Sequence, residues 1–84
     1  MQIHRAQAAV YNILSEDVIS LAQARYELYQ ITGKRPDKST LGRWIHRGVG
    51  GIQLDAIRVG NHLLTSKQAL TRFIAARTEK TVGV

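Results

Sequence analysis

The stretch Ser39–Gly48, STLGRWIHRG, has the spacing of a short amphipathic helix. Leu41, Trp44 and Ile45 recur at i, i+3 and i+4, and this face is predicted to pack on the core. The opposite face carries small, polar and cationic residues: Ser39, Gly42, Arg43 and His46, with Thr40 and Arg47 at one flank. Such a face is either an ordinary solvated surface or a surface shaped to lie against a polyanion.

The composition favours one small domain with an excess of positive charge. The chain has 84 residues, 44% of them hydrophobic, and a formal net charge of +6 with a pI near 10.3. A chain of this length builds a modest core, which argues against a large enclosed catalytic cavity. The basic excess suits nucleic acid or an anionic membrane surface, although basic proteins without such partners are also common.

Other features of the composition exclude several classes of protein. The absence of cysteine removes disulfides and thiolate chemistry. No apolar run approaches the roughly 20 residues that cross a bilayer, and the N-terminal MQIHRAQAAVYNIL lacks the compact apolar segment of a secretory signal. We therefore expect a soluble cytoplasmic protein without a membrane partner.

The positive charge is concentrated in the second half of the chain. Residues 1–33 carry a net charge of −1, residues 34–62 carry +4, and residues 63–84 carry +3. The basic character therefore begins just before Ser39, and a surface for a polyanion is expected in this part of the chain.

Two helices are predicted before the opening stretch. The first covers residues 4–14, where apolar residues recur at helical spacing: Ile3, Ala6, Val10 and Ile13. After a break at 15–17, Ser20 and Gln23 match a capping box and begin a second helix over 20–30. Gly33 and Pro36 end it, Asp37 is a suitable N-cap, and a third helix is predicted over 38–47.

A hairpin and a last helix are predicted after Gly48. The dipeptide Gly60-Asn61 suits a two-residue turn, which places Val59 opposite His62 and Ile57 opposite Leu64. Ile57, Val59 and Leu64 are expected to face the core, while Arg58 and Leu63 face away. The segment 65–68 offers a cap for a helix that ends near Arg77.

The predicted fold class is mainly α with a small β-hairpin. In this interpretation a winged helix-turn-helix domain covers residues 18–77. An extra N-terminal helix and its connection precede it over 1–17, and a flexible tail follows over 78–84.

The helix over 38–47 is predicted to lie in the major groove of double-stranded DNA. Arg43 and His46 would read bases, because arginine can form a bidentate pair of hydrogen bonds with guanine. Ser39, Thr40 and Arg47 would position the helix on phosphates or base edges.

Gly42 is open to two interpretations. A glycine inside a helix costs about 1 kcal/mol relative to alanine, and on a groove-facing surface it would let the helix approach the bases. Alternatively, it is simply tolerated at an exposed position.

Further contacts are predicted in the turn and in the wing over 57–64. Lys34, Arg35 and Lys38 are expected to hold phosphates, which adds affinity and salt dependence. Arg58, Asn61 and His62 near the wing tip would enter a minor groove or contact the backbone, unless the hairpin is an ordinary exposed one.

Catalysis finds little support in the sequence, and no enzyme activity, small-molecule substrate, cofactor or metal is expected. His4, His46 and His62 lack the spacing of metal ligands, and no phosphate-binding GxxxxGK[ST] motif is present. RNA is the weaker nucleic-acid hypothesis, because the predicted strands contain no aromatic residues. The alternative from another class is a protein–protein interaction module that uses the N-terminal apolar stripe.

The ordered segments STLGRWIHRG and AIRVGNHLLTSKQALTRFI resemble the excisionase-like winged helix-turn-helix domains, which are related to the MerR-type DNA-binding domain. The resemblance covers residues 18–76 and extends to a group of small uncharacterised bacterial proteins. It implies DNA bending beside recombination sites or transcription regulation, often on mobile elements. A homodimer or cooperative multimer on DNA is a further expectation. The longer turn over 33–36 and the added N-terminal helix depart from the family pattern.

Overall fold

The computed structural model describes residues 5–81, in which helices surround a small antiparallel sheet. The elements follow the order α1 (Arg5–Leu14), β1 (Val18–Ser20), α2 (Leu21–Thr32), α3 (Lys38–His46), β2 (Ile57–Val59), β3 (His62–Ser66) and α4 (Lys67–Thr81). The prediction of a mainly α protein with a small β element is confirmed. None of the helices within residues 5–81 combines the length and the apolar composition of a membrane span.

The sheet has the strand order β1-β3-β2, with both pairs antiparallel. The predicted register of the hairpin is confirmed, since Val59 pairs with His62 and Ile57 pairs with Leu64. Gly60 begins the turn with a φ of 61°, whereas Asn61 has no positive φ. A glycine of positive φ at the first central position is the mark of a type II′ turn, whose twist matches that of the strands.

Two side chains of the hairpin lie in environments that differ from the prediction. Val59 is 54% exposed, while Ile57 at the base of the hairpin is buried, because the core does not extend to the wing tip. Leu63, expected to face solvent, is partly buried and packs against the core. It lines a groove together with Leu21 and Ala22, so the second face of the hairpin is turned toward the start of α2.

Strand β1 was not predicted. Val18, Ile19 and Ser20 pair with residues 64–66 of β3. Three residues are too few to show the alternation that marks a strand in sequence. Pairing with a distant strand, rather than any local preference, makes this segment extended.

Helix α2 has the predicted caps in part. The Ser20 hydroxyl accepts a hydrogen bond from the Gln23 backbone N–H at 3.0 Å. The Gln23 side chain donates to Glu27 instead of returning to Ser20, so only half of the capping box forms. Gly33 ends the helix in the left-handed conformation, with φ 77°, and donates to the Tyr29 carbonyl.

Helices α3 and α4 follow the predicted caps and boundaries less closely. Asp37 occupies the N-cap position of α3, but its side chain makes no capping hydrogen bond. The Ser66 hydroxyl caps α4 by accepting from the Ala69 N–H at 2.8 Å. Helix α4 continues to Thr81, so residues 78–81 are helical where the prediction ended the helix near Arg77.

The core lies between the sheet and the inward faces of the helices. Its buried members are Ile13, Leu21, Ala24, Leu28, Leu41, Leu54, Ile57, Ala69, Leu70 and Phe73. From the predicted α1 stripe, Ile13 is fully buried and Val10 is 37% exposed. Ile3 and the side chain of Ala6 lie outside the described residues.

Candidate nucleic-acid interface

Helix α3 has the two faces that its sequence predicts. Leu41 is fully buried, and Trp44 and Ile45 are partly buried against the core. Trp44 packs on Phe73, with the ring centroids 5.0 Å apart. The predicted core position of Trp44 is therefore confirmed, and α3 is fixed to α4 by its apolar side.

The other face of α3 is open to solvent. Its exposed members are Lys38, Ser39, Arg43 and His46, followed by Arg47 at the C-cap. Thr40 is half-buried at the border of this face, and the half-buried Gly42 lies within it, between Lys38 and His46 around the helix. The predicted contact residues on α3 therefore share one accessible surface.

Two glycines near this surface have different structural roles. A Cβ atom added to Gly42 would meet no atom within 4 Å, so the packing of the fold does not require glycine there. Gly48 has a φ of 79°, and a Cβ atom would lie 2.4 Å from the Ile52 carbonyl oxygen. The loop after α3 therefore requires Gly48, whereas the fold alone gives no reason for Gly42.

A groove of about 470 Å³ separates the hairpin from the first turns of α2 and α3. We call it the wing groove; its lining residues are Ser20, Leu21, Ala22, Arg25, Lys38, Arg58, Asn61, His62, Leu63 and Leu64. It brings together four residues that were predicted separately as DNA contacts, namely Lys38, Arg58, Asn61 and His62. Among residues 5–81, no carboxylate lines it, so a positive potential is expected in the groove.

A second depression of about 410 Å³ lies on the other side of α3. We call it the turn cleft; its lining residues are Leu28, Thr32, Lys34, Arg35, Pro36, Asp37, Thr40 and Trp44. Lys34 and Arg35, predicted as phosphate contacts, thus lie together with Thr40. The cleft includes one carboxylate, that of Asp37, and is therefore less strongly basic than the wing groove.

Local contacts hold the turn cleft in shape. The Thr32 hydroxyl lies 2.8 Å from the Leu28 carbonyl and 2.9 Å from the Lys34 carbonyl. It also accepts from the Lys34 N–H at 3.1 Å. The Arg35 guanidinium lies over the Tyr29 ring, 5.7 Å from its centroid. The turn is thereby anchored to the last turn of α2.

The wing groove and the turn cleft border opposite sides of the exposed face of α3. Lys38 lines the wing groove and Thr40 lines the turn cleft. Two positions along a helix correspond to a rotation of about 200°, so these residues lie on opposite borders. Arg43 and His46 line neither depression and project from the surface between them. The exposed ridge of α3 is therefore flanked by basic depressions on both sides.

Most carboxylates of the chain are engaged away from this surface. Glu16 pairs with Arg72 and accepts from the Ser66 hydroxyl, and Arg72 also lies 3.8 Å from Asp55. Glu27 lies 3.7 Å from Lys67. Within residues 5–81, no ion pair involves the cations of the turn, α3 or the wing, namely Lys34, Arg35, Lys38, Arg43, Arg47 and Arg58.

The Arg72 contacts change the titration of Glu16. The hydrogen bond from the Arg72 guanidinium holds the pKa of the Glu16 carboxyl below its ordinary value, and the Ser66 hydroxyl acts in the same direction. The same pair raises the pKa of Arg72. This cluster joins the segment before β1 to β3 and α4, and its role is structural.

The sequence did not single out Arg25, which also lines the wing groove. Its Nε donates to the Pro36 carbonyl at 2.8 Å, so the side chain connects α2 to the turn before α3. The position of Arg25 next to the apolar residue Ala24 gives a weak signal that it borders the packed face of α2. Only the tertiary structure brings it beside Lys38 and Arg58.

The histidines do not converge. His46 lies on α3 and His62 on the wing, both exposed, and His4 lies outside the described residues. Among the side chains that the structure describes, no group of three or more His, Cys, Asp or Glu could hold a metal ion.

Comparisons with known proteins place the chain in one family. No curated protein and no solved structure shows significant similarity to it. The family described as "Protein of unknown function (DUF1580)" matches residues 21–78, which contain α2, α3, the hairpin and most of α4. The match covers well over half of the chain and most of the lining of both depressions. The chain therefore belongs to the DUF1580 family.

Proposed function

We propose that this protein binds double-stranded DNA in a sequence-specific manner, with α3 in the major groove. The observation that carries the proposal is the exposed ridge of α3 between two basic depressions, the wing groove and the turn cleft. The major groove admits a helix, and its two walls are the phosphate backbones of opposite strands. A helix in this position needs exposed polar side chains on its ridge and cations on both sides, and α3 has both.

Each part of the surface has a distinct task in this proposal. Arg43 and His46 project from the ridge and read base edges. Ser39, Thr40 and Arg47 fix the position of the helix. Gly42 keeps the ridge low enough for the helix to approach the bases.

The cations at the sides supply affinity rather than sequence preference. Lys34 and Arg35 in the turn cleft hold one backbone, and Lys38 at the border of the wing groove holds the other. Arg58, Asn61 and His62 bring the wing to the minor groove or the backbone. The cations are available for this task because none forms an ion pair within residues 5–81.

The same elements support a finer identity for the fold. Helices α2 and α3, joined through residues 33–37, form a helix-turn-helix with a longer connection than the tight form. The hairpin β2–β3 is its wing. This arrangement and the sequence resemblance support an excisionase-like winged helix-turn-helix protein, acting as an architectural factor in DNA recombination or as a transcription regulator in the nucleoid.

A protein–protein interaction module is the second candidate, and α1 supplies the observation that favours it. Tyr11 and Leu14 on this helix are 64% and 62% exposed, although Ile13 between them is fully buried. An apolar outer face on an otherwise docked helix suits contact with a partner protein or with a second copy on DNA.

Binding to labelled duplexes, measured by fluorescence anisotropy at several salt concentrations, separates these candidates. DNA binding predicts an affinity that falls steeply with salt, since each neutralised phosphate contributes about −0.9 to the slope of log K against log salt. Unlabelled duplex DNA should displace the labelled duplex at a lower concentration than RNA of equal length does. A protein that binds no duplex even at low ionic strength would exclude the proposal and favour the interaction module.

A further inference from the structure

We infer that Arg25 binds a backbone phosphate in the wing groove and thereby positions α3 on the DNA. This inference rests on the proposed function and adds a residue and a contact to it. Its basis is the position of Arg25 between two sites: the carbonyl of Pro36, which it already contacts, and a groove lined by cations.

The charge of Arg25 is not balanced within the described protein. The side chain is half-buried, and its hydrogen-bond partner is the neutral Pro36 carbonyl. Within residues 5–81 it makes no ion pair. A partly desolvated guanidinium without a carboxylate favours an anion from outside the chain.

The neighbours of Arg25 increase this preference. Lys38 and Arg58 line the same groove, together with His62, and no acidic residue of the described chain does. Cations gathered in one concave surface repel each other, and the surface concentrates their field. A bound phosphate removes this repulsion, and Asn61 adds an amide donor beside it.

Arginine suits the two contacts better than lysine does. A guanidinium has five N–H donors, and the hydrogen bond from Nε to Pro36 leaves the four on its two Nη atoms. These can form paired hydrogen bonds to phosphate oxygens while Nε keeps its partner. A lysine ammonium offers a single nitrogen and no such planar fork.

The contact with Pro36 makes Arg25 a positioning residue. Pro36 immediately precedes Asp37, the N-cap of α3, so the turn contact fixes where this helix begins. A DNA phosphate held by the same guanidinium therefore sets the distance between the start of α3 and the DNA backbone on the wing side. Phosphate contacts of this kind determine the register in which base-reading side chains meet the groove.

The test compares Arg25→Met and Arg25→Lys in the full chain, with Lys67→Met as the matched control. Lys67 carries the same charge, but it pairs with Glu27, which lies about 200° around α2 from Arg25, and neither residue of this pair lines the groove. The readout is the slope of log K against log salt for a duplex that the unaltered protein binds. Urea unfolding of each variant measures its stability separately.

We expect Arg25→Met to lower affinity roughly tenfold and to reduce the magnitude of the slope by about 0.9. Arg25→Lys should keep the slope and lose part of the affinity, and Lys67→Met should change neither. If Arg25→Met lowers affinity with an unchanged slope, Arg25 acts only on the turn and the inference is wrong. If Arg25→Met does not fold, Arg25→Gln removes the same charge while keeping an amide donor for the Pro36 carbonyl, and an unchanged slope in that variant would overturn the inference equally. Failure of the unaltered protein to bind any duplex would instead overturn the proposed function.

Discussion

Trp44 on α3 packs on Phe73 of α4, with ring centroids 5.0 Å apart and an angle of 34° between the ring planes. Arg77 lies over both rings, 5.8 Å and 5.5 Å from their centroids. This contact fixes the buried side of α3, and it thereby determines which side chains of the helix remain on the ridge. The proposed DNA surface depends on an aromatic contact on the opposite side of the same helix.

Trp44→Ala should therefore destabilise the fold. Removing a large aromatic side chain from a core costs about 3–5 kcal/mol, and the partly buried Trp44 is expected near the lower limit. The free energy of unfolding in urea measures the loss. Trp44→Phe is the matched control, because it retains a ring against Phe73 and should cost less. A loss for Trp44→Ala no greater than that for Trp44→Phe would contradict this role.

Gly42→Ala should separate stability from DNA binding. The fold has space for a methyl group at this position, so alanine should raise the free energy of unfolding by about 1 kcal/mol. On the ridge, the same methyl group holds the helix away from the bases, and DNA affinity should fall by about tenfold, or 1.4 kcal/mol. Urea unfolding and anisotropy on one preparation measure both. A variant that is more stable and binds DNA equally well would show that Gly42 is only tolerated.

Arg43→Ala and Lys34→Ala should weaken binding in different ways. Arg43 is expected to read a base, so its loss should remove about 1–3 kcal/mol of discrimination at one position of the site. Lys34 is expected to hold a phosphate, so its loss should weaken all sequences equally and reduce the salt slope by about 0.9. Anisotropy with the preferred duplex and with single-base variants distinguishes the two. If both variants lost the same amount of discrimination between bases, the assignment of base reading to the ridge and phosphate binding to the turn cleft would be wrong.

Glu16→Gln should lower the free energy of unfolding at neutral pH. The free energy of unfolding of the variant should also change less as the pH falls. The Arg72 guanidinium lowers the pKa of Glu16 in the folded protein. A carboxyl with a lowered folded pKa stabilises the fold above its unfolded pKa, and this contribution disappears as pH falls through the folded pKa. The difference between the two proteins should therefore shrink in acid.

Thermal unfolding across the acidic range measures this convergence. Glu79→Gln is the control, because Glu79 is exposed and forms no ion pair within residues 5–81. The stability difference between Glu16→Gln and the unaltered protein should be smaller at a pH where glutamate is protonated than at neutral pH. An equal difference at both pH values would contradict the role of the Arg72 contact.

The parts of the fold that sequence predicted are those with local causes. Ser20 accepts from a backbone N–H three residues away, and Gly33 takes the left-handed conformation that ends α2. The Gly60-Asn61 turn sets the hairpin register by itself. Each of these features depends on a few neighbouring residues, so its pattern is visible in the chain.

The features that sequence missed have distant causes. Strand β1 exists because residues 18–20 pair with 64–66. Val59 is exposed because the core ends before the wing tip, which periodicity alone does not reveal. Arg25 joins the candidate site through the turn at Pro36. Most of the candidate contact residues were predicted individually, but their division between two depressions required the tertiary structure.

Selection from a library of random duplex DNA tests the central claim most directly. The full chain is mixed with the library at low ionic strength, and retained duplexes are sequenced over successive rounds. Sequence-specific binding through the ridge of α3 predicts a recurring motif that Arg43→Ala loses or broadens, while Lys67→Met leaves it unchanged. Retained duplexes with the composition of the starting library, or no retained DNA at all, would contradict the account.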